Sequence, residues 1–291
     1  MESQPLAVVV LAAGLGKRMV SQQSKVLHPL AGLPLAAHVL RALAPLSPSR
    51  TVLVVGHGAE QVQDALGHNY GDGNLPLEYA LQSEQLGTGH AVLMAAHLLQ
   101  EHQGPVLVMY GDTPLLRTET LSALLARHRQ MSAFLTVLTC IASDPTGYGR
   151  VLRDQNGNLM GVVEERAATL VQRAISEVNS GVYLFDSDWL WSHLDMVQLN
   201  AQGEYYLTDL VGMAIEEERL RRPVRSDGTR RGPSGVITFT LEGLDETMGI
   251  NSRNQLALAE KMVQAHLRQK WMESGVTMLL IDWLFVVLVL I

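Results

Sequence analysis

LAVVVLAAGLGKRM (Leu6–Met19) is an uncharged apolar run that breaks into a glycine-rich basic turn. The run from Leu6 to Ala13 is β-rich and has no polar alternation, which suits a strand buried on both faces of a parallel sheet. Gly14 and Gly16 follow it, and residues without a Cβ let backbone N–H groups come close to a phosphate. Lys17 and Arg18 add positive charge. A dinucleotide fingerprint needs a third glycine where Met19 stands, and a P-loop needs Ser or Thr where Arg18 stands. Any strand-to-helix turn can also use such glycines, so the turn alone is not specific.

Further along, apolar strand-like runs alternate with helical patterns. Strands are expected at Ala7–Leu11, Thr51–Val55, Val106–Tyr110, Phe134–Cys140, Gly161–Glu164, Gly181–Phe185 and Val236–Thr240. Helices are expected at Pro34–Leu43, Ala59–Leu66, Gly89–Gln100 and Thr118–Gln130. This order predicts an α/β fold with an open, twisted, mostly parallel sheet. Its ligand site belongs beyond the carboxyl ends of the strands. A last helix is predicted from Ser252 to Glu273, because Leu256, Ala259, Val263, Leu267 and Trp271 share one face. It either packs on its own domain or forms an arm leading away from it.

Composition narrows the class. The 291 residues are 47% hydrophobic and 18% charged, as in a globular enzyme, and suffice for a substantial core. A formal charge of -7 argues against a general nucleic-acid surface. Cys140, the one cysteine, lies in an apolar run and reads as a buried thiol in a reducing cytoplasm. The N-terminus lacks the basic start of a signal peptide. Six arginines between Arg219 and Arg231, punctuated by Gly, Pro and Ser, read as a solvated loop, with an anion patch as the alternative. From Val276 the chain reads VTMLLIDWLFVVLVLI. Asp282 interrupts that tail, which falls short of the ~20 residues of a spanning helix, so a membrane partner is not expected.

Three further motifs carry chemistry. Lys25, in SKVLHPLAG, becomes a phosphate clamp if it stands beside the glycine turn. In QSEQLGTGHAV (Gln82–Val92), Gln82 offers a donor and an acceptor to the edge of a planar base. Gly87 and Gly89 there flank Thr88 just before a helix, where Thr88 could equally be an N-cap. In VLVMYGDTPLL (Val106–Leu116), a strand ends in Gly111-Asp112, and a carboxylate so placed is a ligand for Mg²⁺ shared with substrate phosphates. The alternative is a turn aspartate capping the next helix. The ten histidines form no metal pattern, and His28, His57 and His90 read as structural or loop residues.

LAAGLGKRM…KVLHPLAG, QLGTGHA, YGDTPLL, DPTGYGR, VEE, NSG and AQGEYYLTD occur in this order. The set resembles the N-terminal domain of the bacterial bifunctional N-acetylglucosamine-1-phosphate uridylyltransferase/glucosamine-1-phosphate acetyltransferase family, over about residues 5–275. The resemblance implies a Rossmann-like nucleotidyltransferase fold in residues 1–251, a helical arm over 252–275 and an apolar tail over 276–291. It implies uridylyl transfer from UTP to N-acetylglucosamine 1-phosphate, giving UDP-N-acetylglucosamine and pyrophosphate, in the cytoplasm, with Mg²⁺ and without a covalent intermediate. By the same resemblance, Leu11, Ala12, Ala13, Gly14, Gln82, Gly87 and Thr88 line the uridine pocket. Arg18 and Lys25 neutralise the triphosphate. Tyr110 and Gly111 shape the floor, and Asp112 and Asn251 hold the metal. Gly149, Glu164, Asn179 and Thr208 hold the sugar.

The sequence departs from the family in places. Lys17 stands where Thr is common and Ser24 where Pro is common, which leaves the Lys25 loop less constrained. The family continues into a β-helix of hexapeptide repeats that carries acetyl transfer and trimerisation. No such repeats occur here, so the expectation is a truncated or frameshifted product without acetyl transfer and without a trimer. Rival readings are a pyrophosphorylase of the same fold for another sugar phosphate or nucleotide, a non-catalytic nucleotide-sugar sensor, and a membrane-tethered protein resting on the tail.

Overall fold

A computed structural model describes residues 4–71, 75–221 and 235–278. The chain runs through β1 (Ala7–Ala12), a small hairpin of β2 (Pro29–Leu30) and β3 (Leu33–Pro34), α1 (Leu35–Leu43), β4 (Arg50–Val55) and α2 (Ala59–Leu66). A second small hairpin, β5 (Asn69–Tyr70) with β6 (Leu75–Pro76), leads to β7 (Glu78–Leu81), α3 (Thr88–Leu99), β8 (Pro105–Tyr110) and α4 (Thr118–Met131). Then come β9 (Leu135–Ile141), β10 (Gly149–Arg153), β11 (Leu159–Val163), α5 (Leu170–Arg173) and β12 (Glu177–Asp186). α6 (Ser187–Leu194), α7 (Asp209–Arg221), β13 (Val236–Glu242) and α8 (Arg253–Glu273) complete the described order.

The main sheet has the order β11-β10-β12-β8-β1-β4-β7, with β9 also on β12 and β13 on β9. β8, β1 and β4 are mutually parallel, as the apolar runs predict, and β7 adds a further parallel strand. β12 runs antiparallel to β8, β9 and β10. Every residue of β1 is buried. Val8 and Val10 enter one core with α1, α2 and α4, while Ala7, Val9 and Leu11 enter another with α3, α6 and α7. The alternation is that of any strand, and both faces are apolar because helices cover both. Each fully buried Val or Leu contributes roughly 1.5–3 kcal/mol of transfer free energy, so this three-layer core dominates stability.

All seven expected strands and five expected helices form, within a few residues of their bounds. Missing from the expectation were the two small hairpins β2–β3 and β5–β6, and β7, β10, α5, α6 and α7. The strands β7 and β10 are short with polar residues, and α7 (DLVGMAIEEERLR) has a continuous acidic stretch that blurs its apolar face. Helix α8 starts where Ser252 caps it, its hydroxyl accepting from Gln255 N at 3.3 Å. Its first half packs on the domain: Ala259 is buried with Leu30, Leu35 and Ile250, and Leu256 and Val263 lie against them. Glu260 Oε2 accepts from Ala31 N at 2.7 Å. Trp271, on the same face, is 48% exposed. Among the described residues no helix is long and apolar enough to cross a membrane. The arginine-rich stretch from residue 222 and the tail from residue 279 lie outside the described residues.

His128, in the last turn of α4, is buried and pairs through Nδ1 with Thr136 Oγ1 at 2.8 Å. Burial, with Arg129 adding to it, lowers its pKa from 6.5 to about 4. The unfolded chain then takes up this proton at higher pH than the folded chain. Stability contributed by neutral His128 is complete above pH 6.5 and is lost as pH falls towards about 4. The loss should reach about 3 kcal/mol. Urea unfolding of the wild type and His128→Asn across this range checks it: the wild-type stability should fall more steeply. Parallel curves would show that His128 carries no such linkage.

Candidate active site

The carboxyl ends of β1 and β8 open into a cavity of about 450 Å³. Two loops carry the chain away from those ends. After β1, the glycine turn brings Gly14 into the wall, and Gly16 adopts φ 58 so closely over Lys25 that a Cβ would lie 2.8 Å from the lysine Cβ. After β8, Gly111 N donates to Leu11 O at 2.9 Å, which extends the β1–β8 pairing to the residue before Asp112.

Lys25 joins the two candidate metal ligands. Its Nζ donates to Asp112 Oδ2 and, at 2.9 Å, to Asn251 Oδ1. The backbone brings these oxygens together: Ile250 N donates to Asp112 O at 2.8 Å, and Asn251 N donates to Gln255 Oε1 at 2.8 Å. Asp112 is 6% exposed. It does not cap the following helix, which begins at Thr118 after Arg117. Two hard oxygens thus converge on one cation position. Among the described residues no group of three or more His, Cys, Asp or Glu could hold a metal. An aspartate and an asparagine oxygen fit a hard divalent cation that would take its remaining ligands from water and phosphate oxygens.

Gln82 lines the cavity, buried just past β7. Its Nε2 donates to Gly87 O at 3.0 Å and lies 3.0 Å from His90 Nδ1. The loop carrying Gly87 is clamped to the segment Glu204–Thr208. Tyr205 N donates to Leu86 O at 2.7 Å, Gly89 N to Tyr205 O at 2.8 Å, and Leu207 N to Thr88 Oγ1 at 3.0 Å. Gly87 has φ 98, and a Cβ there would come within 2.6 Å of Tyr205 O, so only glycine suits this position. Thr88 is not the N-cap: helix α3 begins at Thr88 with Gly87 in the cap position.

Another part of the lining is built on a kink in β12. Its pairing with β9 shifts register between Asn179 and Tyr183, around Gly181 at φ 79. A Cβ on Gly181 would collide with the ring of Tyr110. Asn179 Nδ2 donates to Tyr183 Oη at 2.6 Å, and Gly181 N donates to Asn179 Oδ1 at 3.2 Å. Thr208 Oγ1 donates to Glu164 Oε1 at 3.1 Å. Burial raises the Glu164 carboxyl above its ordinary value; the Thr208 bond opposes this, and Asp209 and Glu204 add to it. Burial also pushes the Tyr110 and Tyr183 hydroxyls well up, so both stay protonated.

Leu11, Ala12, Ala13, Gly14, Lys25, Gln82, Gly87, Thr88, Tyr110, Asp112, Gly149, Glu164, Asn179 and Asn251 all line this one cavity. Thr208 reaches it through Glu164, and Gly111 lies behind the lining, packed against Val26, Ala12 and Val10. Arg18 is exposed on a 3-10 turn and does not line the cavity. Sequence reasoning passed over Gln85, Thr113, Tyr148, Ser180, Glu204 and Tyr206, which also line it. Tyr148 sits inside GYGR, and Glu204 and Tyr206 sit inside EYYLTD, so the motifs pointed at them without a role attached. His90, read as structural or loop, touches Gln82.

With the geometry known, comparison with other proteins adds identity. Residues 8–178 match the model of the MobA-like NTP transferase domain. A protein named Bifunctional protein GlmU from Heliobacterium modesticaldum is 46% identical over 272 residues, covering 93% of this chain and 55% of the relative. Its namesake from Syntrophotalea carbinolica is 44% identical over 278 residues, covering 95% and 55% respectively. The chain thus spans about half the length of the curated relatives it matches. A solved structure titled as a putative glucose-1-phosphate thymidylyltransferase from Bacillus anthracis superposes with a TM-score of 0.66, covering 88% of this chain and 94% of that one. At 17% identity that likeness bears on the fold alone. The match over more than half of the chain, with the fold and cavity described, makes this protein a nucleotidyltransferase of the MobA-like NTP transferase domain family.

Proposed function

We propose that the chain transfers a uridylyl group from UTP to N-acetyl-α-D-glucosamine 1-phosphate, forming UDP-N-acetylglucosamine and pyrophosphate as a precursor for peptidoglycan and lipopolysaccharide. The observation that carries the reading is the convergence of Lys25, Asp112 and Asn251 in one cavity that Gln82, Glu164 and Asn179 also line. The ordered motifs, through their resemblance to the uridylyltransferase family, support the choice of substrates.

In this reading the sugar phosphate oxygen attacks the α-phosphorus of UTP in line, and the bond to the pyrophosphate oxygen breaks. The nucleophile is already an anion, so no side chain needs to take a proton. Bound at Asp112 and Asn251, Mg²⁺ would lower repulsion between the approaching phosphate oxygens. Lys25 turns its positive charge to the phosphates once the Asp112 and Asn251 oxygens that accept from it are engaged by the metal. Gly14 and the glycine turn offer backbone amides to the same phosphates. Glu164, Asn179 and Thr208 orient the sugar through hydroxyl and amide hydrogen bonds. Positioning and charge neutralisation then provide the rate enhancement.

The direct test is pyrophosphate release with UTP and N-acetylglucosamine 1-phosphate, with and without Mg²⁺, beside a panel of other nucleotides and sugar 1-phosphates. The expected result is metal-dependent turnover with this pair above all others; better use of another pair would replace the reading. Asp112→Asn should cut kcat on the order of a thousandfold with the fold unchanged, and Asn251→Ala less, because an amide compensates less charge than a carboxylate. Near wild-type turnover in Asp112→Asn would remove this residue from the site.

A pH profile tests the sugar pocket. The raised Glu164 carboxyl protonates at higher pH than an ordinary glutamate. The wild-type kcat/KM for the sugar phosphate should therefore decline on the acid side, beginning above the usual carboxylate range. Because the substrate phosphate titrates nearby, the comparison is with Glu164→Gln, which should lose this component and show a raised KM for the sugar phosphate. Superimposable acid limbs in the two chains would mean that Glu164 does not bind the sugar as a carboxylate.

A further inference from the structure

We infer that His90 is a positioning residue that fixes the Gln82 side-chain amide and thereby makes the base pocket select uracil over cytosine. The inference rests on the uridylyl-transfer reading and concerns how that site reads its base.

The argument starts from hydrogen-bond capacity. A glutamine amide has two N–H donors and one oxygen acceptor. Gln82 Nε2 spends one donor on Gly87 O at 3.0 Å. A carbonyl oxygen can only accept, so this contact alone identifies the nitrogen end. The second N–H meets His90 Nδ1 at 3.0 Å, which requires the neutral ring with its proton on Nε2. Both donors are thus committed inside the protein. Among the described residues no donor reaches Gln82 Oε1, although Gln82 is 3% exposed and lines the cavity. The pocket therefore presents an acceptor to its ligand.

Uracil has an N–H at N3, and cytosine has a lone pair there. An inward acceptor completes a hydrogen bond with uracil and faces a second acceptor with cytosine. A buried pair of unmatched acceptors discriminates strongly. If the amide could turn over, its N–H groups would face inward and match cytosine instead. Two acceptors oppose that turn. Gly87 O is held in place by the Leu86–Tyr205 and Gly89–Tyr205 backbone bonds. His90 stands in the first turn of α3, its ring 6.4 Å from that of Tyr205, centroid to centroid. Of the two, His90 is the one that side-chain replacement can remove.

The experiment measures kcat/KM for UTP and for CTP on the same preparation of the wild type, His90→Phe and His90→Asn. The ratio does not depend on the folded fraction. Phe keeps an aromatic ring beside Tyr205 and removes the acceptor; Asn restores an oxygen near the position of Nδ1. His90→Phe should lower the UTP:CTP ratio about tenfold, the scale of one net hydrogen bond, with kcat for UTP little changed. His90→Asn should recover most of the ratio. A Phe variant with the wild-type ratio, or one that loses turnover with both nucleotides equally, would overturn the inference and leave the uridylyl reading standing. A wild-type chain that uses CTP as well as UTP, or neither, would overturn both.

Discussion

Asp112 stands almost out of contact with water at the end of a buried strand, and a carboxylate in such a place must be met by opposite charge and hydrogen bonds. Lys25 meets it, and the surrounding structure follows from that contact. The lysine must come from the loop after β1, so the glycine turn folds tightly over it, with Gly16 too close to Lys25 for any side chain. Asn251 must come from beyond β13, and the Ile250–Asp112 backbone bond and the Ser252 cap place it just before α8. Lys25, through one ion pair and one hydrogen bond, therefore joins three distant parts of the chain at the mouth of the sheet.

On either side of that contact, the walls depend on each other. The loop of Gly87 and the segment of Thr208 are laced together by Tyr205 and Leu207, so the two form one wall. The antiparallel strand β12 closes the opposite side. Its kink at Gly181 lets Tyr110 lie where a Cβ would otherwise be, and it turns Asn179 into the cavity. Polar groups in these walls are largely bonded to one another, which holds them in place before a ligand arrives.

Much of the fold could be read from periodicity and apolar runs, because burial on two faces leaves an unmistakable mark on β1, β4, β8 and β9. Where burial is partial the mark fades. β7 has one buried residue in four, and α7 mixes an acidic run into its core face. Fourteen of the residues singled out from motifs line one cavity, since a loop motif after a strand is fixed to that strand's end. Arg18 is different. It belongs to the same motif, but a long flexible side chain on an exposed turn has no packing to direct it, and it stands outside the lining.

The sequence by itself determined the layered α/β architecture, the position of the glycine turn, and the presence of Asp112 and Glu164 at strand ends. These are local consequences of side-chain burial and backbone geometry. Only the tertiary structure decided what those groups do to one another. That Lys25 bridges Asp112 and Asn251, 87 and 226 residues away, depends on chain crossings that no local pattern encodes. That Gln82 turns its oxygen inward depends on Gly87 O and His90 Nδ1 both taking its protons, a matter of relative orientation within a few ångströms. Hydrogen bonds are directional and short-ranged, so their partners emerge only when the core has brought the segments together.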